Sequence, residues 1–265
     1  MNAPVPPSPT KPPAAAPPEG ARWTADDLAR SPHEDERKAE KVRTMFAAIA
    51  RRYDLNNRLH SFGRDQAWRQ AAVRAAELRE GQRALDMACG TGDLALLLAR
   101  ATPAAEVVGG DFTPEMLDLA RERNRHPKIT YVHADALDLP FEDREFDALT
   151  IAFGIRNVTD PARALAEFRR VLKPGGRLVI LEFATPPHPV VRALNRLYTA
   201  YIMPVTAGLI ARDRTGAYRY LPRSIETFLQ PEAMRKALLD NGFHSVSARP
   251  MTLGVCVCYR AVAPD

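Results

Sequence analysis

Between Trp23 and Glu80 the apolar positions recur at spacings of three and four. In "KAEKVRTMFAAIARRYDLNNRL", Val42, Met45, Phe46, Ile49 and Tyr53 fall on one face, the mark of an amphipathic helix. "DQAWRQAAVRAAELRE" predicts a second such helix, stopped by Gly81. After that the period changes. "RALDMA" (83–88), "AEVVGGDF" (105–112), "ITYVHAD" (129–135), "EFDALTIAFG" (145–154) and "RLVILEF" (177–183) read as short buried strands. Between them lie the helical stretches "GDLALLLARA", "TPEMLDLARERNR" and "DPARALAEFRRVL". Thr113 with Pro114 and Asp160 with Pro161 stand where a helix cap and a first helical residue belong, and "KPGG" predicts a turn before the last of these strands.

This alternation predicts an α/β fold, a doubly wound and mostly parallel sheet. Residues 185–229 break the rhythm with "HPVVRALNRLYTAYIMPVTAGLIARD", helical and apolar but interrupted by Arg192, Arg196 and Pro204. It predicts a lid over an apolar pocket rather than a membrane span. At the end, "SVSARPMTLGVCVCYRAVA" predicts two strands joined by "MTLG" that close the sheet with an antiparallel edge, which makes seven strands.

Composition refines this picture. Residues 1–20 are mostly Pro and Ala, and proline lacks the backbone donor a helix needs. The expected organisation is a Pro/Ala-rich tail (1–22), an N-terminal helical cap (23–80) and a ligand-binding core (81–265) with the lid inserted at 185–229. Cys89, Cys256 and Cys258 are the three cysteines. Three do not make a disulfide framework, so a reducing cytoplasm is the default. Cys256 and Cys258 share one strand face, but no His or Cys lies near them in sequence, and no metal site is assigned. The formal charge of +5 is spread along the chain; no block of like charge marks a nucleic-acid tail.

The candidate chemistry starts at "LDMACGTGDLA" (85–95), a strand that runs into two glycines and a helix. Gly90-x-Gly92-x-x-Ala95 has the spacing of a dinucleotide loop. Asp86 stands close to the strand end. A carboxylate there repels a pyrophosphate but attracts the ammonium and sulfonium of S-adenosylmethionine. Gly90 and Gly92 let the backbone approach a ligand, and Thr91 offers an amide and a hydroxyl. Asp111, at the end of the second strand, suits two ribose hydroxyls of either cofactor. Asp135 suits an adenine amino group, with the Ala136 amide beside it for a ring nitrogen.

"LDMACGTGD", "GGDFTPEML", "ADALDLPFEDREFD" and "VLKPGGRLVILEF" together resemble the successive motifs of Rossmann-like class I S-adenosylmethionine-dependent methyltransferases. "RRYDLNN" (51–57), "IAFGIRNVTD" (151–160) and "YRYLPRSIETF" (218–228) narrow the resemblance to the ubiquinone/menaquinone biosynthesis C-methyltransferases, over about residues 40–262. The chain departs from that pattern at Ala152, where many members have serine, and at Asn56, usually apolar.

The resemblance implies C-methylation of a polyprenylated quinol, either demethylmenaquinol or 2-polyprenyl-6-methoxy-1,4-benzoquinol, with no metal. Thr91, Asp111 and Asp135-Ala136 are the cofactor contacts it implies. A quinol carbon becomes nucleophilic when its neighbouring phenol ionises, and Arg156 is the fixed charge placed to meet that oxyanion. Asn157 would orient the hydroxyl or a water, and Tyr53 would pass the proton on. The bland alternatives are an Arg156 that pairs with Asp160 or caps the strand end, and a Tyr53 buried as core. His60, His133 and His188 have no sequence partner that would make them a base. A prenyl tail explains the apolar 185–229 segment. Arg192, Arg196, Arg212 and Arg214 then suit lipid headgroups, and the expected location is cytoplasmic, peripheral to the inner face of the membrane. The oligomeric state is left open.

Three other readings stay open on sequence. A methyltransferase acting on nucleic acid, protein or another small molecule is one; many enzymes that methylate exocyclic base amines carry an Asn/Asp-Pro-Pro-aromatic loop where "AFGIRN" stands. A nicotinamide oxidoreductase is opposed by Asp86. A non-catalytic partner in quinone synthesis would bind the cofactor without turnover.

Overall fold

The computed structural model of the protein describes residues 22–102, 105–203, 205–206 and 215–265. The Pro/Ala-rich stretch 1–20, Pro204, Arg212 and Arg214 lie outside the described residues. Alternating apolar runs build one sheet from β1 (Arg83–Met87), β2 (Glu106–Asp111), β3 (Ile129–His133), β4 (Phe146–Ala152), β5 (Leu172–Phe183), β6 (His244–Met251) and β7 (Cys256–Val262). Their order is β3-β2-β1-β4-β5-β7-β6. β1 pairs in parallel with both β2 and β4, so the chain reverses its direction of winding there, and a crevice opens at the carboxyl ends of β1 and β4. β7 runs antiparallel to β5 and β6, as the two last apolar runs predict. "KPGG" is not a turn ahead of β5 but a bulge inside it: the register with β4 jumps from Phe146–Leu172 to Ala148–Arg177.

Helices cover both faces. On one side α4 (Arg64–Ala76) and α5 (Asp93–Ala101) press Trp68, Ala72, Leu94 and Leu98 against Val107 and Val179. On the other, α7 (Pro161–Val171) and α10 (Pro231–Asp240) bury Leu165, Phe168, Met234 and Leu238 against Phe146, Leu149 and Leu178. Cys256 and Cys258 are buried in the first of these layers, where the thiols act as small apolar side chains.

The N-terminal segment departs from its predicted outline. After α1 (Ala25–Ala29), the single expected helix divides into α2 (Lys38–Ile49), a 3-10 turn (Ala50–Arg52) and α3 (Tyr53–His60). The break frees α3 to lean over the carboxyl end of the sheet. Val42, Met45 and Ile49 do share a face, but it packs on Trp23, Tyr218 and Tyr220 rather than on the sheet. α4 ends at Ala76, before Gly81, because Glu77 takes a left-handed conformation that turns its carboxylate to Arg177 and Arg260.

The inserted segment supplies α8 (Pro189–Leu197), a π-helical turn (Tyr198–Ile202) and α9 (Ala217–Thr227). Trp23 stacks on Tyr220 of α9 with ring centroids 4.5 Å apart. The start of the cap and the lid are thus one apolar unit placed above the crevice.

Candidate active site

Two cavities of about 1080 and 1090 Å³, counting their open mouths, lie side by side beneath the cap. Phe46, Tyr53, Arg69 and Phe153 line both and form the wall between them.

The first cavity sits at the ends of β1, β2 and β4. Asp86, Gly90, Thr91, Asp111, Asp135 and Ala136 all line it, as do Tyr53 and Asn157. Gly90 (φ +56) has open space where a side chain would stand, so the loop backbone itself faces the cavity. Gly92 does not. Its φ is +85 and a Cβ there would come within 2.4 Å of the Tyr131 hydroxyl. Its role is to start α5 in tight packing, which corrects the expectation that both glycines face the ligand.

Asp86 is 1% exposed. Oδ1 accepts a 2.7 Å bond from the Thr150 hydroxyl, and Oδ2 has no hydrogen-bond partner among the described residues. Burial pushes this carboxyl up to about 7, against the opposing pull of Thr150 and of the Arg69 charge. An unpartnered buried carboxylate oxygen costs stability unless a donor arrives. A ligand ammonium is such a donor, so the site fits the amino-acid end of S-adenosylmethionine.

Asp111 accepts from the Gly90 and Thr113 amides, each at 2.8 Å. These bonds fix the carboxylate and leave further lone pairs for a ligand. They also correct the cap assignment. Thr113 holds the N-cap position of α6 (Pro114–Arg123) without a side-chain cap bond, and the turn is held by Asp111 instead. Asp135 turns its own loop by accepting from the Leu137 amide at 2.9 Å.

Thr91 behaves differently from expectation. Its hydroxyl donates 2.8 Å to Asp54 of α3 rather than pointing freely at a ligand. The other Asp54 oxygen pairs with Arg123 of α6 at 2.5 Å. Cap, glycine loop and α6 are latched together over the cavity.

The second cavity is roofed by the lid. Its lining includes Trp68, Phe183, Tyr198, Met203, Tyr218 and Tyr220. Arg156 lines this cavity and not the first. The Asp160 pairing read from sequence is corrected: the guanidinium pairs with Glu182 instead and caps the end of β4. Nη1 donates to Glu182 at 2.7 Å and to the Phe153 carbonyl at 2.6 Å, while Asp160 caps α7 through the Arg163 amide. Nε is buried with no partner among the described residues. Asn157 is also engaged. Its Oδ1 accepts from the Tyr220 hydroxyl at 2.9 Å, and its Nδ2 donates to the Phe153 carbonyl. Burial raises the Tyr53 hydroxyl, opposed by Asn57 and by the charges of Arg156 and Arg69. It stands at the shared wall as a neutral phenol.

Sequence reasoning did not single out Arg69, Glu182, Asp54 or Tyr220. Asp54 and Tyr220 lie inside the quoted stretches "RRYDLNN" and "YRYLPRSIETF". Nothing in the helical pattern marks Arg69 as a wall residue.

With this geometry in place, comparison with known proteins is decisive. The ubiE/COQ5 methyltransferase family model matches residues 34–263. The chain belongs to this family. It is 50% identical to a Thermus thermophilus protein named demethylmenaquinone methyltransferase, over 81% of this chain and 98% of that one. It is 45% identical to a Geobacter sp. protein named ubiquinone/menaquinone biosynthesis C-methyltransferase UbiE, over 84% and 96%. The fold is similar to that of Haemonchus contortus phosphoethanolamine N-methyltransferase 2 in complex with S-adenosyl-L-methionine. The TM-score is 0.57 at 18% identity, over 74% of this chain and 52% of that one.

Proposed function

We propose that the protein methylates a ring carbon of a polyprenylated quinol, using S-adenosylmethionine. Demethylmenaquinone, the oxidised form of one such quinol, is the compound in the name of the 50%-identical relative. The observation that carries this reading is the shared wall. A cavity lined by four aspartates and an aromatic, lid-roofed cavity meet at Tyr53, Arg69 and Phe153.

When bound, S-adenosylmethionine supplies a methyl group already activated on sulfur. Asp86 would hold its ammonium, Asp111 the ribose hydroxyls, and Asp135 with Ala136 the adenine edge. The other task falls to the chain's own residues. A phenol titrates near pH 10, so at pH 7 only about one molecule in a thousand is ionised. The carbon ortho to the oxygen is a weak nucleophile until that proton leaves. Arg156 stabilises the developing oxyanion with a charge that cannot be titrated away. Its pairing with Glu182 fixes the guanidinium at the cavity wall, and its unpartnered Nε is a donor that a ligand oxygen would satisfy. Asn157 and Tyr220 stiffen the loop that carries Arg156. The phenol proton leaves to a water oriented by Asn157 and is relayed through the hydroxyl of Tyr53, which stays protonated at the wall.

The prenyl tail accounts for the outer surface. Phe62, Leu194, Leu197 and Tyr201, on the α3–α4 connection, α8 and the π-helical turn, are each more than half exposed. Arg192 and Arg196 on α8 are exposed beside them. No helix among the described residues is long and apolar enough to cross a membrane. This face therefore rests on the bilayer surface, apolar residues inward and arginines at headgroup level.

The test is a strain lacking the protein. Its quinones should accumulate as the form one methyl lighter, and the mass of that form names the ring. An unchanged quinone pool rejects the proposal.

A further inference from the structure

The first cavity holds a marked charge imbalance. Asp86, Asp93, Asp111 and Asp135 line it, and among the described residues Arg69 is its only cation. The ligand assigned to that cavity ends in an amino acid, with a carboxylate as well as an ammonium. Asp86 serves the ammonium. We propose that Arg69 takes the carboxylate, so that Asp86 and Arg69 together recognise the zwitterionic end of the cofactor. This rests on the S-adenosylmethionine reading above.

Arg69 is prepared for such a role. It lies on α4, is 6% exposed and lines the wall between the two cavities. Only Nη1 is bound, to Asp65 at 2.6 Å. Asp65 is itself held by the Ser61 hydroxyl and the Gln66 amide, each at 3.0 Å. The guanidinium stands over the Phe153 ring, 5.9 Å from its centroid, which limits its rotation. Nε and Nη2 carry no hydrogen bond to the described residues. They form the free edge of a planar fork, the geometry that meets a carboxylate through two parallel bonds. The Arg69 charge also reaches Asp86 and favours its ionised form, so the two groups are close enough to act on one small ligand. Stability alone does not call for this ion pair, since apolar residues of similar volume hold a buried contact as well or better.

The test is calorimetric binding of three ligands in the absence of quinol: S-adenosylmethionine, its decarboxylated analogue and 5′-methylthioadenosine. The wild-type protein should prefer S-adenosylmethionine to the decarboxylated analogue by roughly ten- to hundredfold, the scale of one charge-assisted bond. Arg69→Met should lose that preference and keep its affinity for methylthioadenosine, which reports an intact cavity. Arg69→Lys should retain part of the preference. A wild-type protein that binds all three with no preference overturns the inference while leaving the cofactor reading intact. Binding of none of the three overturns the cofactor reading itself. An Arg69→Met variant that keeps the full preference also overturns the inference.

Discussion

Arg156 and Glu182 meet at 2.7 Å, with side chains 5% and 2% exposed. The pair joins the loop after β4 to the end of β5 beneath the aromatic cavity. Burial raises the Glu182 carboxyl and the Arg156 charge opposes that rise, so each group keeps the other in its working state. Replacing Arg156 by lysine keeps a charge but loses the fork. kcat should fall on the order of 10²–10³-fold, with donor affinity measured by calorimetry nearly unchanged. Arg156→Ala strands a buried carboxylate, and a thermal or urea melt should show a loss of about 3–5 kcal/mol.

Asp86 predicts a pH dependence of opposite sign for binding and for stability. Its carboxyl is displaced from 3.8 to about 7 in the folded protein. Between those values the folded state holds a proton that the unfolded state has released, so stability falls as pH rises through that window and levels off above it. The full effect is on the order of 4 kcal/mol. Asp86→Asn should abolish this slope, so the difference between the two melting curves should grow from pH 4 to pH 7. Donor affinity should run the other way, rising with pH up to about 7 in the wild type. The asparagine variant should bind weakly at every pH.

The Asp54 latch governs access to the first cavity. It joins Thr91 of the glycine loop to Arg123 of α6, and the Arg123 partner is partly exposed, so solvent screens part of its worth. Asp54→Ala should raise the donor dissociation rate roughly five- to thirtyfold, the scale of one charge-assisted bond. Hydrogen exchange should quicken in residues 53–60. A stopped-flow release measurement checks the first expectation.

The apolar face predicts a tail-dependent defect. Leu194→Glu with Leu197→Glu should reduce flotation with anionic liposomes. Turnover of a long-tailed quinol in vesicles should slow, while turnover of a short-tailed soluble quinol should not. Wild-type protein that stays entirely in the soluble fraction contradicts the membrane reading.

Much of this was legible before any coordinates. The sheet and the first cavity follow from local signals: strand runs ending in Asp86, Asp111 and Asp135 put three carboxylates at one edge of a parallel sheet. The second cavity was legible only as an unexplained apolar stretch. Its chemistry depends on contacts between distant segments. Glu182 reads as the last turn of an ordinary strand until β4 and β5 lie side by side and bring Arg156 to it. Arg69 reads as one more arginine on a helix until α4 settles against the glycine loop. The bond from the Thr91 hydroxyl to Asp54, 37 residues away, cannot be read from spacing.

The central claim is that the wall at Tyr53, Arg69 and Phe153 brings an activated methyl group to a quinol carbon beside Arg156. The most direct measurement is turnover of a short-tailed demethylmenaquinol with carbon-13-labelled S-adenosylmethionine, the product read by NMR. The account predicts label on the ring carbon next to a hydroxyl, and strong slowing in Arg156→Lys. Label on a ring oxygen, or turnover indifferent to that substitution, contradicts it.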